Sequence, residues 1–524
     1  MRRWQVKGMT VVMVLMLLLT ACGGGNNTAA VEGSTGNDSN AGSTADTSPM
    51  VLTIAIPADI QSFDVHNNNT TVSEAVLVNM YDYLLRNDVD GNKVPVLAES
   101  WEQVDDTTWR FKLRSDVKFH NGDPFTAADV KYTLERIATD SALKQNSLYK
   151  QIKAVNIIDD YTVDIITDGP DPIFLNRLSR MGSGMLPSKY IEEQGMEAFL
   201  AAPVGTGPYK FQKWAKDDRI ELVRNDDYFG GTPKWDELVF RTIPEASTRV
   251  SELLTGGVDL ISDVPSTDVE RIEAAENTSI AITPVQRVLQ LILRMTEGSV
   301  TADPKVREAI DLAIDKQAIV DSIAGGSGVV TRTSVTPGNF GADPSLYEQT
   351  LYDPDRAAAL LTEAGYGEGE AALSLSVQSQ YKEYAEVVSA MLTKVGFTVN
   401  LDVMEASAFS EKMSSKTFGE MFMIGIGNSL NDASNNYNRF LLDRAKGETD
   451  YNNPEVEALL QAALTNMNAE ERTRQYQQVQ QILAEERPAV YLFQVEAVYG
   501  VGSRIDYKPG KDEMFYAEEI TPKN

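Results

Sequence analysis

An α/β fold in at least two domains is what this sequence predicts, and three observations carry the prediction. Runs with period-two apolar alternation recur between runs with helical spacing, so strands and helices are mixed along the chain. The helical runs begin and end at capping residues. About 475 residues follow Met50, more than one hydrophobic core usually accommodates.

The chain opens with Arg2, Arg3 and Lys7, an apolar core from Met9 to Leu18, and Leu19-Thr20-Ala21-Cys22. Such a core is too short to cross a bilayer as a helix, so residues 1–21 are expected to be a secretory signal. A cysteine directly after Leu-Thr-Ala resembles a bacterial lipobox, which makes Cys22 the expected lipidated first residue of the mature chain. As the only cysteine, it serves no internal disulfide and no multi-cysteine metal site. Residues 22–49 are Gly, Asn, Ser, Thr and Ala with almost no large apolar side chain, the composition of a flexible tether. A chain built this way hangs from a membrane by lipid.

From Leu52 to Phe63 the chain reads as a first strand, followed by the amide-rich loop His66 to Thr71. Asp90-Gly91 between Tyr83-Leu84-Leu85 and Val94-Pro95-Val96 reads as a hairpin turn. A calcium loop does not fit there, because Arg86 would occupy the first ligand position. Trp109, Phe111 and Leu113 alternate as a strand; Thr126 and Asp129 form a capping box for a helix with Val130, Leu134 and Ile137 on one face. In GTGPY, Gly205 and Gly207 give the backbone freedom, for lobe-crossing structure or for ligand contact. Leu289, Leu291 and Leu293 alternate as another strand. Asp303-Pro304 opens a helical run that carries Val306, Ile310, Ala313, Ile314 and Ile323 to a stop at Gly325-Gly326. Asp353-Pro354 opens a helix that stops at Gly365, and Asn453-Pro454 opens a third. Tyr491 to Val501 reads as a late strand. Before it, the apolar Met421 to Ile424 runs into GIGNSLNDASNNY, residues 425–437, which crowds short polar side chains at a strand end and offers a helix start after Asp432.

Charge and composition exclude several function classes. The formal charge is 47 − 76 = −29, or −32 once Arg2, Arg3 and Lys7 leave with the signal, which argues against nucleic acid as a partner. There are two histidines, His66 and His120, and no HExxH, CxxC or GxxxxGK[ST], so no cofactor and no transition metal is expected. GNSLN, residues 427–431, has Asn431 where a nucleophile elbow needs glycine, which leaves a serine hydrolase built on Ser429 as the minor alternative.

Six segments, in order, carry a resemblance. Ala98–Ile137 (AESWEQVDDTTWRFKLRSDVKFHNGDPFTAADVKYTLERI), Pro203–Trp214, Val223–Leu238, Ile243–Leu260, Asp303–Val320 and Tyr352–Tyr366 resemble the family 5 extracellular solute-binding proteins, the peptide, nickel and glutathione receptors of ABC importers. The resemblance implies a two-lobed, periplasmic-binding-protein-like fold of type II with a ligand cleft between the lobes. Lobe one would be 50–286 plus 496–524, with an inserted subdomain at about 96–204, and lobe two 287–495. It also implies a monomeric receptor, not an enzyme, that passes its solute to a permease and ATPase complex.

The 425–437 loop bears on the solute. Peptide-binding members commonly carry GW-x-x-D-x-x-DP there, the first aspartate meeting the peptide ammonium; this chain has Ile426, Ser429 and Asp432-Ala433 at those places. An ammonium without a carboxylate is costly to bury, so the loop points away from ordinary peptides. It resembles glutathione-type receptors better, as does Pro284–Leu291, where Arg287 is a candidate for a solute carboxylate. By the same resemblance the ligand-facing residues are Asp59, Gln61, Asn67 and Asn68 from lobe one and Arg287, Gln290, Asn428, Ser429 and Asp432 from lobe two. An oligosaccharide or a chelated metal remains the alternative cargo.

Overall fold

The computed structural model describes residues 49–88 and 91–523. The signal segment, Cys22, the tether to Ser48, and Asp90 of the hairpin turn lie outside the described residues.

A mixed sheet of eleven strands runs through the molecule, and two long strands, Thr278–Leu293 and Ala489–Gly502, lie at its middle. On one side Leu260–Ile261, Val51–Ile56, Glu237–Thr242, Arg219–Arg224 and Tyr209–Ala215 follow in that order. On the other side come Met421–Gly427, Ala371–Gln378 and Phe397–Met404. Val51–Ile56 pairs in parallel with both neighbours, which buries both faces and explains its run of Val, Leu, Ile and Ala. Ala371–Gln378 is likewise flanked by parallel partners, with Leu373, Leu375 and Val377 fully buried.

Each half of the sheet has its own core. Leu52, Ile54, Tyr81, Phe199 and Phe240 anchor the first, and Leu291, Ile310, Leu375, Val388 and Leu492 the second. The two long strands pair from Thr278↔Gly502 to Pro284↔Glu496, lose register, and resume at Val288↔Gln494. Val285, Gln286 and Arg287 therefore face the single residue Val495, a bulge that breaks the ladder between the two halves. Some freed groups find other partners: Gln494 Nε2 donates to Val285 O (2.9 Å), and Asn428 N donates to Gln286 O (2.7 Å).

A third core belongs to an antiparallel sheet ordered Ala98–Asp105, Thr108–Leu113, Thr162–Thr167, Ile152–Asp159. The helix Ala127–Thr139 covers it with Val130, Leu134 and Ile137, and its predicted capping box is formed. Leu85–Asn87 and Lys93–Pro95 pair as the predicted hairpin, with Gly91 at φ +89°. GTGPY is a close backbone approach: a Cβ on Gly205 would lie 1.9 Å from Met80 O, and one on Gly207 2.6 Å from Met80 C. Its glycines are accounted for by lobe structure.

One helix differs from the sequence reading. The run after Asp303 is two helices, Pro304–Ala313 and Lys316–Ser322, because Ile314 is extended and Asp315 caps the second by accepting from Ala318 N (3.0 Å). An Asx cap inside an apolar-periodic run competes with helix continuation and wins here.

Candidate functional site

A cavity of about 510 Å³ opens where the first half meets the second beside the strand bulge. From the first half it is lined by Glu74, Arg86, Asn87, Ser179, Arg180 and the C-terminal loop Tyr507–Asp512; from the bulge and beyond by Gln286, Pro337, Gly338 and Asn431. Another cavity, about 500 Å³, lies around Asp82, Arg114, Tyr228 and Phe229 and shares Arg86 and Tyr516 with the first. Its walls come from the first half alone, so relative motion of the halves would not enclose a solute in it. A cleft site needs walls on both sides, and of these two cavities the first has them.

The 425–437 loop reaches this place through the strand Met421–Gly427, whose Gly427 pairs with Arg287 at the bulge. Asn428 is 2 % exposed and ties the loop to itself: its Nδ2 donates to Asp432 O (3.1 Å) and Asn436 Oδ1 (2.7 Å), and its Oδ1 accepts from Asp432 N (3.1 Å). Asp432 accepts two hydrogen bonds from Arg472 (2.7 and 2.8 Å) and one from Ser434 N (2.9 Å). The helix start expected after Asp432 exists, Ala433–Tyr437, but Asp432 itself occupies it, so it is not open to an anionic solute. Ser429 is half-buried in the turn and makes no side-chain hydrogen bond among the described residues. Asn431, held at φ +53°, is the loop residue that lines the cavity.

The expected lobe-one residues are engaged with the protein. Asp59 accepts from Trp214 Nε1 (3.0 Å) and Asp217 N (2.8 Å), and Gln61 Oε1 from Lys144 Nζ (2.6 Å). Asn67 donates to Asp64 Oδ2 (2.9 Å), and Asn68 to Ser62 O (2.8 Å) and Asp64 O (2.7 Å). Gln290, 1 % exposed, donates to Ser334 Oγ (3.4 Å). Arg287 meets a protein carboxylate: its guanidinium donates to Glu513 at 2.9 and 3.3 Å. None of these nine residues lines the cavity. The cavity lining includes Glu74, Arg180, Gln286, Lys511 and Asp512, which the sequence reading does not single out; the one local signal was a Pro-Gly turn flanked by charges, KPGKD at 508–512.

Electrostatically the cavity wall is dominated by pairs. Arg180 pairs with Glu74, which also accepts from Met181 N (3.0 Å); burial still pushes the Glu74 carboxyl up against that cation. Lys93, hydrogen-bonded to Asn87 Oδ1, is held down at about 8 by burial and by the Arg180 charge. Burial also raises Glu513 despite Arg287. Neither histidine stands ready as a base for Ser429. His66 is fully buried against Arg136, and both ring nitrogens of His120 are taken, by Gly205 N (3.1 Å) and Gly207 O (3.0 Å).

The model for bacterial extracellular solute-binding proteins, family 5, matches residues 92–448. The chain belongs to that family. A curated relative, the glutathione-binding protein GsiB of Salmonella paratyphi A, is 29 % identical over 456 residues, covering 84 % of this chain and 88 % of the relative. Among solved structures, DppA of Helicobacter pylori in complex with the peptide STSA is 26 % identical with a TM-score of 0.77, covering 91 % of this chain and 99 % of that one. NikZ of Campylobacter jejuni in complex with Ni(L-His), 24 % identical with a TM-score of 0.75 over 90 % of this chain and 99 % of that one, shares the fold. The family 5 chain is therefore a two-lobed solute-binding protein of an ABC importer. Among the described residues no helix is long and apolar enough to cross a membrane.

Proposed function

We propose that this receptor captures a small peptide-like solute, glutathione or a short peptide, and delivers it to a membrane permease for uptake. In this reading lobe one is 50–286 plus 496–524, with the subdomain at about 96–204 inserted; lobe two is 287–495; the monomer is held at the membrane by lipid on Cys22. The observation that carries the reading is a cavity with walls from both lobes, set against a three-to-one bulge in the strands that join them. Its volume lies in the range of about 300–1,000 Å³ usual for small-molecule sites. Hinge closure at the bulge would bring the lobes onto the solute, which favours the closed state only through contacts absent from the open one. Asn176 of the subdomain already reaches Leu430 O across the cleft (2.5 Å). The GsiB relative and the Ser429 loop favour glutathione over ordinary peptides. Calorimetric titration of the mature protein with glutathione and a series of di- to pentapeptides tests the reading, and the expected result is saturable one-site binding.

A further inference from the structure

Charges in the cleft do not all find protein partners. Glu74 pairs with Arg180, and Arg86 with Glu518 and Glu519 at 3.0 and 3.4 Å. Asp88 accepts from Asn92 N (2.8 Å) and Nδ2 (3.1 Å). The remaining charged groups of the lining stand together on one loop: Lys508, Lys511 and Asp512 form no ion pair among the described residues, although Lys511 and Asp512 are adjacent in the chain.

That loop is built to hold Asp512 still. The carboxylate accepts from Met514 N (3.2 Å) and Tyr516 Oη (3.2 Å), neutral donors that orient it without neutralising it. Glu513 sits at φ +66°, a conformation that costs a side-chain-bearing residue energy, and Arg287 grips it from the bulge. A Cβ on Gly510 would fall 2.6 Å from Asp512 Oδ1, so glycine makes room for the carboxylate. Burial, and next the Asp512 charge, push the Tyr516 phenol well above its usual range. Lys511 Nζ faces the other wall, 3.6 Å from where a Cβ on Gly338 would stand.

We infer that the 508–512 loop reads an unsubstituted α-amino-acid head on the solute, Asp512 receiving its ammonium and Lys511 its carboxylate. Neighbouring unpaired charges of opposite sign match a head whose ammonium and carboxylate share one carbon, as in a γ-glutamyl peptide. An ordinary α-linked peptide carries them at opposite ends. The inference rests on the receptor reading above and supplies the carboxylate that the 425–437 loop lacks at Ser429.

Calorimetry with glutathione, N-acetylglutathione and the α-linked isomer Glu-Cys-Gly tests it on the wild type, Asp512→Asn and Lys511→Glu. Wild type is expected to prefer glutathione over each of the others by roughly tenfold or more, the scale of one charge-assisted hydrogen bond. Asp512→Asn should lose the discrimination against the N-acetyl form. Lys511→Glu changes an exposed side chain and leaves the fold intact; it should lose the preference between the linkage isomers. Wild type that binds all three probes equally, or variants that discriminate as wild type does, overturns the inference and leaves the receptor reading standing. Wild type that binds none of the three overturns the inference, and the receptor reading falls with it only if the di- to pentapeptide series also fails to bind.

Discussion

Asp432 and Arg472 are 1 % and 3 % exposed, and their two hydrogen bonds hold the cleft loop to the helix Ala469–Glu486. Arg472 also stacks on Phe340 and Tyr476, 4.7 and 5.0 Å from the ring centroids, so removing its partner leaves a buried cation with no outlet to water. Asp432→Asn keeps the cap on Ser434 N and deletes the charge; it should cost about 3–5 kcal/mol in urea denaturation. His120 gives a second residue-scale expectation. Burial holds its imidazole down at about 4, below the value near 6.5 of an exposed ring, so the unfolded chain takes up the proton first. Its contribution is complete above about pH 6.5 and is lost as pH falls toward 4. Wild type should therefore lose on the order of 2 kcal/mol more than His120→Gln between pH 7 and 4.5. Asp82, pushed up to about 7 by burial and Glu518, titrates in the opposite sense in both proteins, so the difference between them isolates His120.

At the scale of elements, what was legible in the sequence is what local chemistry decides. Asx-Pro starts at Asp353 and Asn453, the capping box at Thr126 and the hairpin around Gly91 are all formed where their residues predict them. Local reasoning failed at Asp315, where two local preferences compete within one run; Asp59, expected at the solute by resemblance, is held by Trp214, 155 residues away. The cavity lining was illegible because Glu74, Arg180, Asn431 and Asp512 come from separate elements that only the fold brings together. The loop at 425–437 was placed beside the cleft by its resemblance, yet most of its polar side chains are spent holding its own shape. Gly205 carries the element-scale expectation. Its backbone lies against Met80 O with no room for a methyl, so Gly205→Ala should lower stability by at least about 2 kcal/mol, read as a shifted denaturation midpoint at unchanged slope.

At the scale of the whole molecule, the two halves of one sheet pack against separate hydrophobic cores and join through two strands, and the sheet loses register beside the cavity. On the proposed reading, separate cores would let each lobe keep its packing while the bulge absorbs a change of angle, and ligand contacts from both lobes would couple binding to closure. On the same reading this cavity takes up a peptide-like solute. Isothermal titration of the mature protein with glutathione and the di- to pentapeptide series tests that most directly. Saturable heat at one site per chain is expected for glutathione or a short peptide, accompanied by a raised melting temperature; no heat and no thermal shift with any of these solutes would overturn the receptor's peptide-type specificity.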